Sequence, residues 1–200
     1  MNNRRVVTTD VDIDVFDRDK ILQNLDCIYG RIDRENGIFD KHLTGVYFQN
    51  MPKDPSTDVA VVDHRIAGDY GFFKIDFLNV NFYKDIKNEE HLLELMNREP
   101  PWDFFLFQDV TDQLFHLKGH SNLLRKFPPS CVEDLAIILA LIRPSKAHLQ
   151  NQTWESITAN IWVKDESDGY FFKRSHAVGY ALAIVVHLNL LIEGLGYEVS

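Results

Sequence analysis

The chain has 200 residues, a formal net charge of −9, 45% hydrophobic residues and 14 Phe. That length and apolar content suit one or two small domains with a real core. The acidic balance excludes nucleic-acid binding through bulk electrostatics and demands a local basic patch or a helper protein for it. Two cysteines, Cys27 and Cys131, make neither a disulfide framework nor a zinc set, which points to a reducing, intracellular setting. The N-terminal MNNRRVV lacks the apolar run and cleavage site of a signal peptide.

The stretch Val6–Val15 alternates without error from Thr9 onward. On a strand, side chains two apart share a face, so Asp10, Asp12 and Asp14 face one way and Val11, Ile13 and Val15 the other. Carboxylates about 7 Å apart repel by about 2 kcal/mol at an effective dielectric of about 20. Asp also disfavours strands. Solvent, a basic partner or a divalent cation must offset these costs. A solvated, aggregation-resistant edge is the plain alternative; three acids in perfect alternation favour a metal-binding strand.

Asp17 is placed to cap a helix running to about Tyr29, with Ile21, Leu25 and Ile28 on one face and Gly30 as the stop. Residues 31–57 are mixed, with a short strand at Val46–Phe48. Val59–Val62 is a second short strand. Tyr70–Leu78 reads as a strand with Phe73, Ile75 and Phe77 on one face, and with Lys74 and Asp76 projecting together from the other. A Lys–Asp pair is usually a surface pair worth under about 1 kcal/mol, but this one is flanked by bulky apolar residues.

The chain then turns helical. Asn88 caps Glu89–Asn97, and Pro100–Pro101 marks a boundary between domains 1–99 and 100–200. Phe104–Val110 is a short strand or an apolar turn. Leu114–Leu124 reads as helix, weakened by Gly119. Ser130-Cys131-Val132-Glu133 fits a capping box for a helix ended by Pro144. Residues 145–162 hold one further helix, and Lys164–Gly169 is a solvated loop. Ser175 is placed to cap the last helix, from His176 to about Glu193. Its apolar part, Ala177–Ile192, is shorter than the ~20 residues a membrane span needs and contains His187 and Asn189. It reads as a buried helix, with no membrane association.

Four blocks in order carry a resemblance. They are Thr9-Asp10-Val11-Asp12-Ile13-Asp14-Val15; Gly71-Phe72-Phe73-Lys74-Ile75-Asp76-Phe77-Leu78; Leu106-Phe107-Gln108 with Phe127–Leu135 and Ala140-Leu141-Ile142-Arg143-Pro144-Ser145; and Phe171-Phe172-Lys173-Arg174-Ser175-His176-Ala177. Together they resemble the catalytic core of C-family replicative DNA polymerases, the bacterial DNA polymerase III α subunit. They match its P-D-x-D-x-D-F, G-L-x-K-x-D-F-L, V-F-Q, A-L-x-R-P-G-P and F-N-K-S-H-A motifs.

The resemblance implies an α+β chain: a small polymerase-β-like nucleotidyltransferase palm sheet followed by a mostly helical fingers-like region. It implies that Asp10, Asp12 and Asp76 are catalytic and hold two Mg²⁺ or Mn²⁺ ions, with Asp14 as a supporting acid. It implies that Lys74, Arg143, Lys173, Arg174 and His176 contact the incoming nucleotide. The physical reading of Arg143 alone is a helix C-terminal charge, and that of His176 a first-turn residue. DNA and deoxynucleoside triphosphates are the implied substrates, with a protein partner or oligomer to supply DNA contacts. The implied location is the cytoplasm, that of a host cell if the chain is viral.

This sequence also departs from the family. No Gly-Ser phosphate-binding element lies in the nine residues before Asp10, and Asp12 to Asp76 is 76 − 12 = 64 positions, much shorter than the family's spacing. An interaction protein that keeps the fold without catalysis, binding replication or transcription proteins, is the alternative. A metal-dependent nuclease using the same carboxylates is a third reading.

Overall fold

The computed structural model describes residues 11–34, 37–164 and 172–195. The chain is α+β and forms two compact units, Met1–Lys84 and Asp85–Ser200. The Pro100–Pro101 break therefore lies inside the second unit. The helix Glu89–Asn97, read above as part of the first domain, packs on the last helix and belongs with the second.

The first unit is a five-stranded mixed sheet. Its strands are β1 (Val11–Val15), β2 (Ile28–Asp33), β3 (Phe39–Tyr47), β4 (Val59–Asp63) and β5 (Ile75–Asn79), in the order β1-β5-β3-β2-β4. β1 runs parallel to β5, and β4 parallel to β2; β3 is antiparallel to both β5 and β2. The period-two pattern of β1 is only partly expressed: Val11 and Ile13 stay 39% and 38% exposed, and of the three apolar residues only Val15 is buried. Val15 joins Phe77, Val46 and Leu22 in a small core on the side of α1 (Arg18–Leu22), and Tyr47, Met51, Ala60 and Ala67 pack separately. Asp17 does cap α1, accepting from the Lys20 amide at 3.0 Å.

Two expectations fail in this unit. The helix read to Tyr29 stops at Leu22, and residues 28–33 are β2. Leu25 is 41% exposed, so the helical stripe that suggested a longer helix has nothing to cover it. The β-branched and aromatic residues Ile28, Tyr29 and Ile32 pair with β3 instead, and Tyr29 also with β4. The Tyr70–Leu78 strand is cut to its second half, because Ala67–Tyr70 is a 3-10 turn closed by Gly71 at φ 83°.

The second unit is helical: α2 (Glu89–Asn97), α3 (Gln108–Thr111), α4 (Ser121–Lys126), α5 (Val132–Leu141), α6 (Trp154–Asn160) and α7 (Arg174–Gly194). Asn88 caps α2 as read, accepting from the His91 amide at 2.9 Å. Leu135 through Leu141 are all buried, so α5 is apolar all round and fills the centre against α7.

Starts and breaks differ from the reading in detail. Segment 104–110 is a 3-10 turn and α3 rather than a strand. The 114–124 helix is broken by left-handed residues His116 and Gly119, leaving only α4. The N-cap of α5 is Cys131, without a side-chain cap, and Asp134 accepts from the amide and hydroxyl of Ser130, at 3.0 and 2.8 Å, where a Ser130–Glu133 box was expected. Ser175 lies inside α7, whose N-cap is Lys173. Residues 165–169 of the Lys164–Gly169 loop lie outside the described residues. Among the described residues, α7 alone is long and apolar enough by length and composition to cross a membrane, and half of that window is buried within the fold.

Candidate functional site

The parallel register of β1 and β5 pairs Asp12 with Asp76. Directly paired residues share a face, so the two carboxylates project side by side from strands about 4.8 Å apart. Lys74, two residues before Asp76, projects on the same side and its ammonium forms an ion pair with Asp76 Oδ2. Asp12 is exposed on β1, whereas Asp76 is 8% exposed. Asp14 accepts from Tyr83 Oη at 3.3 Å. Partial desolvation raises the Asp14 carboxyl, the Tyr83 bond opposes that, and the Asp12 charge adds to it. Asp10 lies outside the described residues.

A bulge in β3 completes the surroundings of Asp76. Tyr29 pairs with Val46 and Arg31 with Lys41, so Gly30 alone faces the four residues His42 to Gly45. Bulges re-aim side chains and are over-represented beside active sites. Here the bulge turns Thr44 so that its hydroxyl donates to Asp76 Oδ1 at 2.6 Å. It also brings His42 Nδ1 to 3.9 Å from that oxygen. Gly45 pairs with Asp76, and a Cβ there would run into the Cγ and Cδ of Lys74. The missing side chain is what lets the lysine stem cross β3 to reach the carboxylate.

His42 is neutral. Its Nδ1 accepts from the backbone amides of Gly45 and Thr44, at 2.9 and 3.2 Å, which places the ring proton on Nε2. Burial first, and then the Lys74 charge, lower it to about 4, against the pull of Asp76. The 3.9 Å approach to Asp76 is therefore no ion pair at neutral pH. Tyr47 Oη is buried nearby with no hydrogen-bond partner, and burial together with the Asp76 and Asp63 charges pushes it up to about 12.

The histidine has a thermodynamic consequence. Its ordinary value of 6.5 holds in the unfolded chain and falls to about 4 on folding. Its contribution is thus fully present above pH 6.5 and is lost as pH falls toward 4, because the unfolded chain takes up the proton first. A shift of that size is worth on the order of 3 kcal/mol. Stability of the sheet unit is expected to drop across this window, and the drop should shrink in His42→Gln, as read from hydrogen exchange of β3 and β5 amides at a series of pH values. Equal slopes in the two proteins would remove His42 as the cause.

The remaining sequence-predicted residues lie in the second unit. Arg143 follows the end of α5 and stacks on Phe172, 4.3 Å from the ring centroid. Its Nε is buried without a hydrogen-bond partner, and among the described residues it has no carboxylate within ion-pair distance. Lys173 and Arg174 are exposed at the start of α7, and His176 is half-buried in its first turn. Phe172 thus brings Arg143 beside the 173–176 segment. The companions that sequence reasoning missed are Thr44, His42 and Gly45. A His-x-Thr-Gly run in a chain otherwise poor in strand glycines was the signal, but its meaning depends on the bulge.

Asp12 and Asp76 supply hard carboxylate oxygens, the donor chemistry that Mg²⁺ and Mn²⁺ take. Thr44 and Lys74 each occupy one site on the two oxygens of Asp76, and a carboxylate has about four such sites. The described pair therefore fits a divalent cation as a partial ligand set. Among the described residues no group of three His, Cys, Asp or Glu is close enough to hold a metal ion.

No protein-family model matches the chain, and no curated protein matches it.

Proposed function

We propose that the chain is a metal-dependent nucleotidyltransferase of the DNA polymerase III α type, adding deoxynucleotides to a primer. The observation that carries this is the Asp12–Asp76 pairing on one face of β1 and β5, with Lys74 beside it. It supports the palm-like reading of two separate motifs, 64 positions apart in sequence (76 − 12). Asp12 and Asp76, with Asp10, would hold Mg²⁺ or Mn²⁺. When bound, such ions supply charge neutralisation at the triphosphate and a lowered pKa at the primer 3′-hydroxyl.

The chain's own groups then have defined tasks. Asp12 and Asp76 present oxygens from strands held rigid by pairing. Thr44 fixes the rotamer of Asp76 through its hydroxyl. Lys74 holds a cation at the carboxylate pair that can turn to a phosphate oxygen. Among the described residues, Arg143 offers a guanidinium without a carboxylate partner. Its contact with the nucleotide, and those of Lys173, Arg174 and His176, belong to the same proposal.

A second reading has its own observation. Lys74 already neutralises Asp76, and Thr44 already satisfies its other oxygen. That arrangement also describes a finished structural ion pair in a polymerase-derived interaction protein. Mn²⁺ titration followed by paramagnetic resonance, and primer extension with Mg²⁺, separate the two. The catalytic reading expects saturable Mn²⁺ binding and extension that falls by about a hundredfold or more in Asp12→Asn. No bound Mn²⁺ and no product would decide for the second reading.

A further inference from the structure

We infer that the cleft between α1 and the β3 bulge is a polyphosphate site, taking the triphosphate of a nucleoside triphosphate. The cleft has a volume of about 430 Å³, in the range of small-ligand sites. Arg18 of α1, Gln23 at its C-cap, Tyr29 of β2, and Lys41 and His42 of β3 line it, with Asp19 at its rim. On a chain of net charge −9, its walls carry two fixed cations against one carboxylate.

The donors point to oxyanions. Lys41 lies over the Tyr29 ring, 3.1 Å from the centroid, and no described carboxylate is within ion-pair distance of it. Its charge is held in place by a ring, with the Asp19 carboxylate acting on it only beyond ion-pair distance. Arg18 gives Nε and Nη2 to one oxygen of Asp19, at 3.1 and 2.8 Å. Of its five N–H donors, three remain. The Arg18 side chain is 18% exposed and that of Asp19 71%, so the carboxylate sits on the solvent side of the guanidinium. His42 adds a neutral N–H donor, since its Nδ1 is committed to backbone amides. Gln23 adds a carboxamide. Arginine, lysine and neutral N–H groups together are the donor set that phosphate oxygens accept.

His42 is also the wall shared with the carboxylate site, its Nδ1 3.9 Å from Asp76 Oδ1, and Arg18 is among the charges acting on it. The cleft is thus separated from Asp76 by the His42 side chain. Naming the ligand as a nucleoside triphosphate rests on the nucleotidyltransferase reading; the oxyanion chemistry of the cleft does not.

The test is calorimetric titration of the full chain with sodium tripolyphosphate and with dATP, at low salt and without divalent metal. Both are expected to bind, and Lys41→Gln and Arg18→Gln should each weaken binding about tenfold or more, the value of a charge-assisted hydrogen bond. Lys41→Arg should restore it. Lys41 is exposed and outside every core cluster, so Lys41→Gln is expected to keep the wild-type melting temperature. No binding of tripolyphosphate, or wild-type affinity in both Gln variants, overturns the inference. Binding of a DNA duplex that depends on Lys41, with no binding of dATP, also overturns it in favour of a backbone-phosphate site. If tripolyphosphate binds as expected but primers are not extended, the cleft stands and the catalytic reading fails. If primers are extended with an unchanged KM for nucleotide in Lys41→Gln, the reverse holds.

Discussion

Asp76→Asn is expected to cost the sheet unit about 3 kcal/mol or more, the range for removing one partner of a buried ion pair. The exposures set this scale: the Asp76 side chain is 11% exposed and that of Lys74 18%. Asparagine keeps the shape and can still accept from Thr44, so the change isolates the charge. What remains is an ammonium folded over Gly45 with no counter-charge. Lys74→Met should cost a similar amount, since it leaves Asp76 beside Asp12 on the paired strand. The double variant Lys74→Met/Asp76→Asn should lose far less than the sum, because no buried charge is left unpaired. Hydrogen exchange of β1 and β5 amides reads this directly. It is the right probe because Trp102, Trp154 and Trp162 all belong to the second unit, so tryptophan fluorescence does not follow the sheet. Additive losses would mean that the two side chains act separately. The same experiment bears on metal binding. If Mn²⁺ takes Asp76, saturating Mn²⁺ should stabilise the wild type through mass action and leave Asp76→Asn unmoved.

The same ion pair shows what was legible in the sequence. The alternation of Asp12 with Val11 and Ile13, and of Lys74 and Asp76 with Ile75 and Phe77, fixed which residues share a face, because the strand period is a local property. That Asp12 stands opposite Asp76 was not local. It depends on β1 and β5 pairing in parallel across an intervening hairpin. The β3 bulge was less legible still: four residues opposite Gly30 make sense only once β2 is known to be a strand. Residues 21, 25 and 28 imitate a helical stripe, and nothing nearby in sequence shows that Leu25 lacks a surface to cover. Caps were read well where one side chain decides the matter, at Asp17 and Asn88. They were misplaced at α5 and α7, where neighbouring polar residues compete and tertiary packing chooses the first turn.

In the helical unit, Asn189→Leu and Asn189→Ala are both expected to be destabilising, by about 2–4 kcal/mol for stranding buried polar groups, with alanine the worse of the two. Asn189 lies in the middle of α7 and is fully buried. Its Nδ2 donates to the carbonyls of Leu95 and Arg98, at 2.9 and 2.8 Å. These belong to the C-terminal end of α2, where carbonyls have no partner within their own helix. Leucine has the same branched outline as asparagine and is somewhat bulkier, so it leaves no cavity while leaving both carbonyls stranded. Alanine strands them and adds a void. The Asn189 Oδ1 works the other way, because it is buried without a hydrogen-bond partner and either substitution relieves it. One relieved acceptor does not offset two stranded ones, so the net sign stays destabilising. Urea unfolding followed by tryptophan fluorescence tests this, with all three tryptophans reporting on this unit. A leucine variant as stable as wild type would show that apolar packing alone joins α2 to α7, and that the polar residue in an otherwise apolar helix is not what seats α2.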